Sequence, residues 1–161
     1  MNIQLLTAAT ATNGYATGSM TTVTKASLVD TETFTLNDGV ASYVFEFDVT
    51  GNGVTGGRTA VDVSLDTTAD QVRDRVITAI NSTAILITAS SGGAATVSLV
   101  NDRFGSVGNT TSAETVADAG FALTNMSGGV AGVRLRDTTA ARELAGDRGR
   151  VVIKSTAGSG T

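Results

Sequence analysis

Glu46 and Asp48 stand two positions apart in the run Tyr43-Val44-Phe45-Glu46-Phe47-Asp48, a spacing that puts both carboxylates on one face of a strand. A carboxylate pair is the working equipment of glycoside hydrolysis, one group as acid and the other as base or nucleophile. The rest of a sugar subsite is thin: the chain has no Trp, and Tyr15, Tyr43 and Phe104 are the rings on offer for stacking. A strand with one buried face carries acids on its solvated side in any case, and that accounts for both residues without chemistry.

The following loop holds two more patterns. Asp48-Val49-Thr50-Gly51-Asn52-Gly53 sets oxygen ligands at alternate positions, like the opening of a calcium loop, but the twelfth position is Thr59 instead of a bidentate Glu. Gly51-Asn52-Gly53-Val54-Thr55-Gly56 spells the glycine fingerprint of a dinucleotide site. Such a site needs a helix next, to hold the pyrophosphate at its N-terminus. Thr59 to Leu65 instead alternates like a strand, which predicts a hairpin loop. Asn81-Ser82-Thr83, Asn109-Thr110-Thr111 and Asn125-Met126-Ser127 match the glycosylation sequon, a match that chance produces in a chain so rich in Asn, Ser and Thr.

The chain contains neither His nor Cys. Ser–His and Cys–His nucleophilic catalysis, thiolate metal sites and disulfides therefore fall away. The expectation is a protein that is not an enzyme, with no cofactor, metal ligand set or catalytic residue. The first residues, Met1-Asn2-Ile3-Gln4-Leu5-Leu6, lack the basic start and the long apolar run of a signal peptide. No stretch is long and apolar enough to span a bilayer, so no membrane partner is expected.

The elements that must position these residues read clearly in the middle of the chain. Phe34 and Leu36 alternate with Thr33 and Thr35, Asn37-Asp38-Gly39 supplies a turn, and Tyr43, Phe45 and Phe47 alternate in their turn. This predicts a hairpin with one buried face. Val72, Val76, Ala79 and Ile80 recur at helical spacing, and Thr68 with Gln71 matches a capping box, predicting a helix over about 69–81. Ile85 and Ile87 face Val97 and Leu99 across Ser91-Gly92-Gly93-Ala94 as a second hairpin, and Phe121 with Leu123 marks a further strand. The fold class is mainly β, a small α+β arrangement: an antiparallel sheet of hairpins packed on one amphipathic helix, with extended N- and C-terminal arms.

Three segments differ in composition. Residues 1–27 are mostly Thr, Ala, Ser and Gly, with little to bury after Leu6, and read as an N-terminal arm. Residues 28–133 carry the β-rich core. Residues 134–161 form a basic C-terminal arm, with Arg134, Arg136, Arg142, Arg148, Arg150 and Lys154 against Asp137, Glu143 and Asp147. Six cations against three acids give the arm +3, and a whole-chain charge of −4 then leaves −7 for residues 1–133. Arg150-Val151-Val152-Ile153-Lys154 reads as a strand in need of a partner. An acidic body argues against nucleic acid as a partner. The six cations are instead expected to contact the acidic body of another subunit. Aromatics make up only 4% of the chain. At roughly 25 cal/mol per Å² of apolar burial, small side chains give a modestly stable monomer that neighbours would stabilise further.

Residues 34–130 resemble a β-rich module of bacteriophage virion and tail structural proteins, also seen in large bacterial surface proteins. The segments that carry the resemblance are Phe34 to Gly39, Val44 to Asp48, Ala69 to Asn81, Ala95 to Asp102, Gly105 to Asn109 and Phe121 to Gly129. The resemblance implies a virion component, a capsid decoration (cement) protein or a small tail or fibre component. Such a protein would form a homo-oligomer and bind other virion proteins of the capsid or tail. The alternative is a receptor- or glycan-binding module of a tail tip or surface adhesin. A small hydrolase using Glu46 and Asp48 is a third reading.

Overall fold

The structure is a computed structural model that describes residues 14–130. It is mainly β, with two four-stranded sheets and one helix. Strands β1 (Tyr15–Thr21), β2 (Thr33–Asn37), β3 (Ser42–Asp48) and β4 (Thr59–Asp62) precede helix α1 (Ala69–Asn81). Strands β5 (Ile87–Gly93), β6 (Thr96–Phe104), β7 (Ala113–Glu114) and β8 (Ala122–Leu123) follow it. One sheet runs β5-β6-β1-β8 and the other β4-β3-β2-β7.

The β2–β3 hairpin forms in the register that the alternation predicts, with Phe34 opposite Phe45 and Leu36 opposite Tyr43. Asp38 makes its turn by accepting the N–H groups of Val40 and Ala41 on one carboxylate oxygen. Gly39 adopts a φ of 95°, which side-chain-bearing residues avoid, and Val107 lies directly against it. The β5–β6 hairpin is also present, with Ala89 opposite Leu99 and Ser91 opposite Val97.

The helix spans Ala69–Asn81 and begins with the capping box, Thr68 Oγ1 accepting from Gln71 N. Its buried face is Val72, Val76, Ala79 and Ile80, laid against β5, β4 and β6. At its last turn Asn81 reaches the outer edge of β5. Its amide donates to the Ala89 carbonyl and accepts the Ala89 N–H, both at 2.9 Å.

One apolar cluster draws on both sheets and the helix. At its centre Phe34 stacks on Phe45 at 4.7 Å between ring centroids, and Phe47 meets Phe34 at 5.7 Å and Phe121 at 5.9 Å. These four buried phenylalanines, each worth about 1.5–3 kcal/mol, concentrate the stabilisation that the chain's many small residues cannot supply.

Two expectations are corrected. Residues 15–21 are not part of an arm. β1 lies inside its sheet between β6 and β8, with Ala16 and Met20 fully buried. Residues 124–127 continue along its second side, where Thr17 and Ser127 exchange N–H···O bonds of 2.7 and 2.9 Å. Tyr15, Thr17 and Thr21 are exposed while Ala16 and Met20 face inward, the alternation of a strand with one buried face. The segment after β3 is likewise not a hairpin loop: β4 runs parallel to β3, with Phe45 opposite Thr59 and Asp48 opposite Asp62. Residues 49–58 must therefore carry the chain back across the sheet, a return that usually takes a dozen residues or more.

Candidate functional site

That return decides what Glu46 and Asp48 do. Both were expected on a solvated face, yet they are only 2% and 6% exposed. The loop crosses the face they occupy, so β3 is buried on both sides at its end. The Arg58 guanidinium pairs with Glu46 Oε2, and the Thr55 N–H reaches Oε1 at 3.3 Å. Asp48 accepts the N–H groups of Gly51, Asn52 and Gly53 at 2.7, 3.1 and 3.0 Å. From the other side Asp30 accepts from Val49 N at 2.8 Å and Thr50 N at 3.4 Å.

Three carboxylates thus stitch the loop to the body through its backbone. Burial works against the charge on Glu46, but the bonds from Arg58 and Thr55 outweigh it and hold its pKa below the ordinary value of 4.5. A carboxylate held this way is a weak base, and its oxygens face donors of its own loop. The calcium pattern meets the same fate, because Asp48 turns its oxygens to backbone N–H groups. Among the described residues, no group of three or more His, Cys, Asp or Glu is placed to hold a metal ion. No helix follows the glycine fingerprint within the loop; β4 does.

The sequon asparagines are also engaged. Asn81 is bonded to Ala89, Asn109 Nδ2 donates to the Gly129 carbonyl at 2.9 Å, and Asn125 Oδ1 accepts the Ser112 N–H at 2.9 Å. Arg134, Arg136, Arg142, Arg148, Arg150 and Lys154 lie outside the described residues.

A feature the sequence did not announce lies at one end of the body. Tyr15 and Phe104 pair edge to face at 5.4 Å, yet remain 40% and 54% exposed. Val130 is 48% exposed beside them. A Cβ on Gly14 would strike both the Phe104 ring and the Val130 carbonyl, so these three residues are contiguous. Val107 and Val40, flanking Gly39, and Leu86, whose N–H is bonded to Asp38, extend the exposed apolar surface at this end. Among the described residues, six of the nine exposed large apolar side chains are here. Both ends of the described chain, Gly14 and Val130, also leave from this end.

No protein-family model matches the chain, and no curated protein or solved structure matches it either.

Proposed function

We propose that this chain is a non-catalytic structural protein that builds an assembly with copies of itself and with other proteins. The observation that carries the reading is the apolar end: exposed rings and valines gathered where both chain termini leave the body. The resemblance of residues 34–130 to phage modules supports a bacteriophage virion as the assembly, with a capsid decoration protein or a small tail or fibre component as the role. The −7 body and the +3 arm favour contacts between subunits in which the arm's cations meet a neighbour's acids.

Light scattering on the full chain and on a chain ending at Val133, at low and high salt, tests this. A defined oligomer that truncation or salt weakens is the expected outcome. Monomers of both chains under all conditions would remove self-assembly from the reading. The exposed Tyr15–Phe104 pair favours a second reading, a receptor- or glycan-binding module of a tail tip or surface adhesin. Saturable binding of one glycan by a monomer, lost in Phe104→Ala, is the result that would favour it.

A further inference from the structure

We infer that Asn52 is a deamidation site that Asp48 and Asp30 hold closed, and that its reaction frees the 49–58 loop permanently. Glycine after asparagine leaves the main-chain nitrogen unhindered. Once deprotonated, that nitrogen attacks Cγ of the asparagine side chain; the bond to Nδ2 breaks, ammonia leaves and a cyclic imide remains. Water then opens the imide at either carbonyl. One product is aspartate. The other is isoaspartate, whose main chain runs through the side-chain carboxyl and is one methylene longer.

Among the described residues Asn52-Gly53 is the one Asn-Gly pair, and both residues are exposed, so water and base reach them. Gly53 has a φ of 92°, so the turn itself calls for glycine and the reactive pair comes with it. The fold engages the two reacting groups with different carboxylates. The Gly53 N–H donates to Asp48 Oδ2 at 3.0 Å, and the Asn52 N–H donates to Oδ1 at 3.1 Å. The Asn52 carboxamide is turned elsewhere, its Nδ2 donating to Asp30 Oδ2 at 3.4 Å. Removing the Gly53 proton would set an anion against the buried Asp48 carboxylate, which Coulomb repulsion opposes. Asn52 therefore reacts through local openings of the loop, and the reaction ends the closed state. Either product places a carboxylate where Nδ2 met Asp30. The isoaspartate methylene also shifts Gly53, so its N–H and that of residue 52 no longer match the two oxygens of Asp48. The cover over Glu46 then loosens from its Asp48 end.

The test ages the full chain at mildly alkaline pH and follows Asn52 by peptide mapping and mass spectrometry, which scores Asn13-Gly14 separately. Native protein is expected to convert Asn52 about tenfold more slowly than the same chain unfolded in urea. Equal rates would show that the fold does not close the site. Asp48→Asn is expected to speed conversion in the native protein. Because Asp48 is buried, Asp30→Asn is the second variant: it frees the carboxamide and leaves the Asp48 bonds in place, so a smaller acceleration is expected. If neither variant reacts faster while circular dichroism reports an intact fold, the carboxylates are not what protects Asn52. Hydrogen exchange reads the consequence. The N–H groups of Gly51 and Gly53 should exchange faster in aged protein than in fresh protein, and Asn52→Asp should reproduce part of that change. Unaltered protection in fully converted protein would overturn the permanent release.

Discussion

Glu46 shows how a residue's chemistry is decided by what the chain does next. Arg58 is its charged partner and is one-third exposed, whereas Glu46 is buried. Replacing Arg58 with Met would leave a buried charge with Thr55 as its remaining partner, at a cost of about 2–3 kcal/mol once solvent screening at the arginine is allowed for. Urea unfolding at pH 7 measures it. The pH dependence has a fixed sign. The pKa of Glu46 is lowered in the fold, so its contribution is complete above the ordinary value of 4.5 and fades as pH falls through the lower folded value. The stability difference between wild type and Glu46→Gln should therefore be flat above about pH 5 and shrink steadily below it. A difference that grew on acidification would show that Glu46 is protonated in the native state. Asp38 is held low in the same sense: burial opposes its charge, and the N–H groups of Ala41, Leu86 and Val40 with the nearby Arg103 prevail. Asp38→Ala should cost about 1–3 kcal/mol and loosen the β2–β3 turn from the start of β5.

At the scale of elements, α1 was the part most legible in the sequence. Its cap, its apolar stripe and its length are all local signals. Thr68→Ala should cost about 1 kcal/mol and Ile80→Ala about 2–5 kcal/mol, read as shifts in the urea midpoint at constant slope. The two hairpins were legible for the same reason, with alternation on both sides of a turn. What escaped was set by partners far along the chain. β1 counts as a strand because β6 and residues 122–127 line its two sides, some 75 to 110 positions away. Nothing in Tyr15-Ala16-Thr17-Gly18-Ser19 announces them. The parallel return of β4 was hidden similarly, since a glycine-rich loop followed by alternation fits a hairpin equally well. Arg58, a lone cation just before β4 in an acidic stretch, was the one available hint that the loop folds back over the acids. Asn81 adds a test of its own. Asn81→Ala frees both Ala89 groups on the β5 edge, and hydrogen exchange at Ala89 should accelerate while the helix cap at Thr68 stays protected.

For the whole molecule, the candidate site was half legible. Tyr15 and Phe104 stood out as possible stacking rings, but no periodicity reveals that they meet at the end where Val130 also emerges. Charge, by contrast, is fully readable from composition, and it separates two contributions to the proposed assembly. Replacing all six arm cations with Gln should abolish the salt dependence of association and leave an apolar remainder, measured by light scattering across a salt series. If association vanished altogether, the apolar end would be contributing nothing.

Because Gly14 and Val130 leave from the same end, with β1 and residues 122–127 antiparallel between them, the body has a direction in which it yields. A load applied between its two termini opens the Gly14–Gly105 and Thr17–Ser127 bonds first and then proceeds one pair at a time, like a zipper. A load that dragged β1 lengthwise past β6 would instead strain the whole row from Tyr15 to Thr21 at once. Pulled from Gly14 and Val130, the body should therefore unravel at low force. Gripped through one end and an opposite face, it should hold, which makes the points where load enters as important to its toughness as its stability in solution.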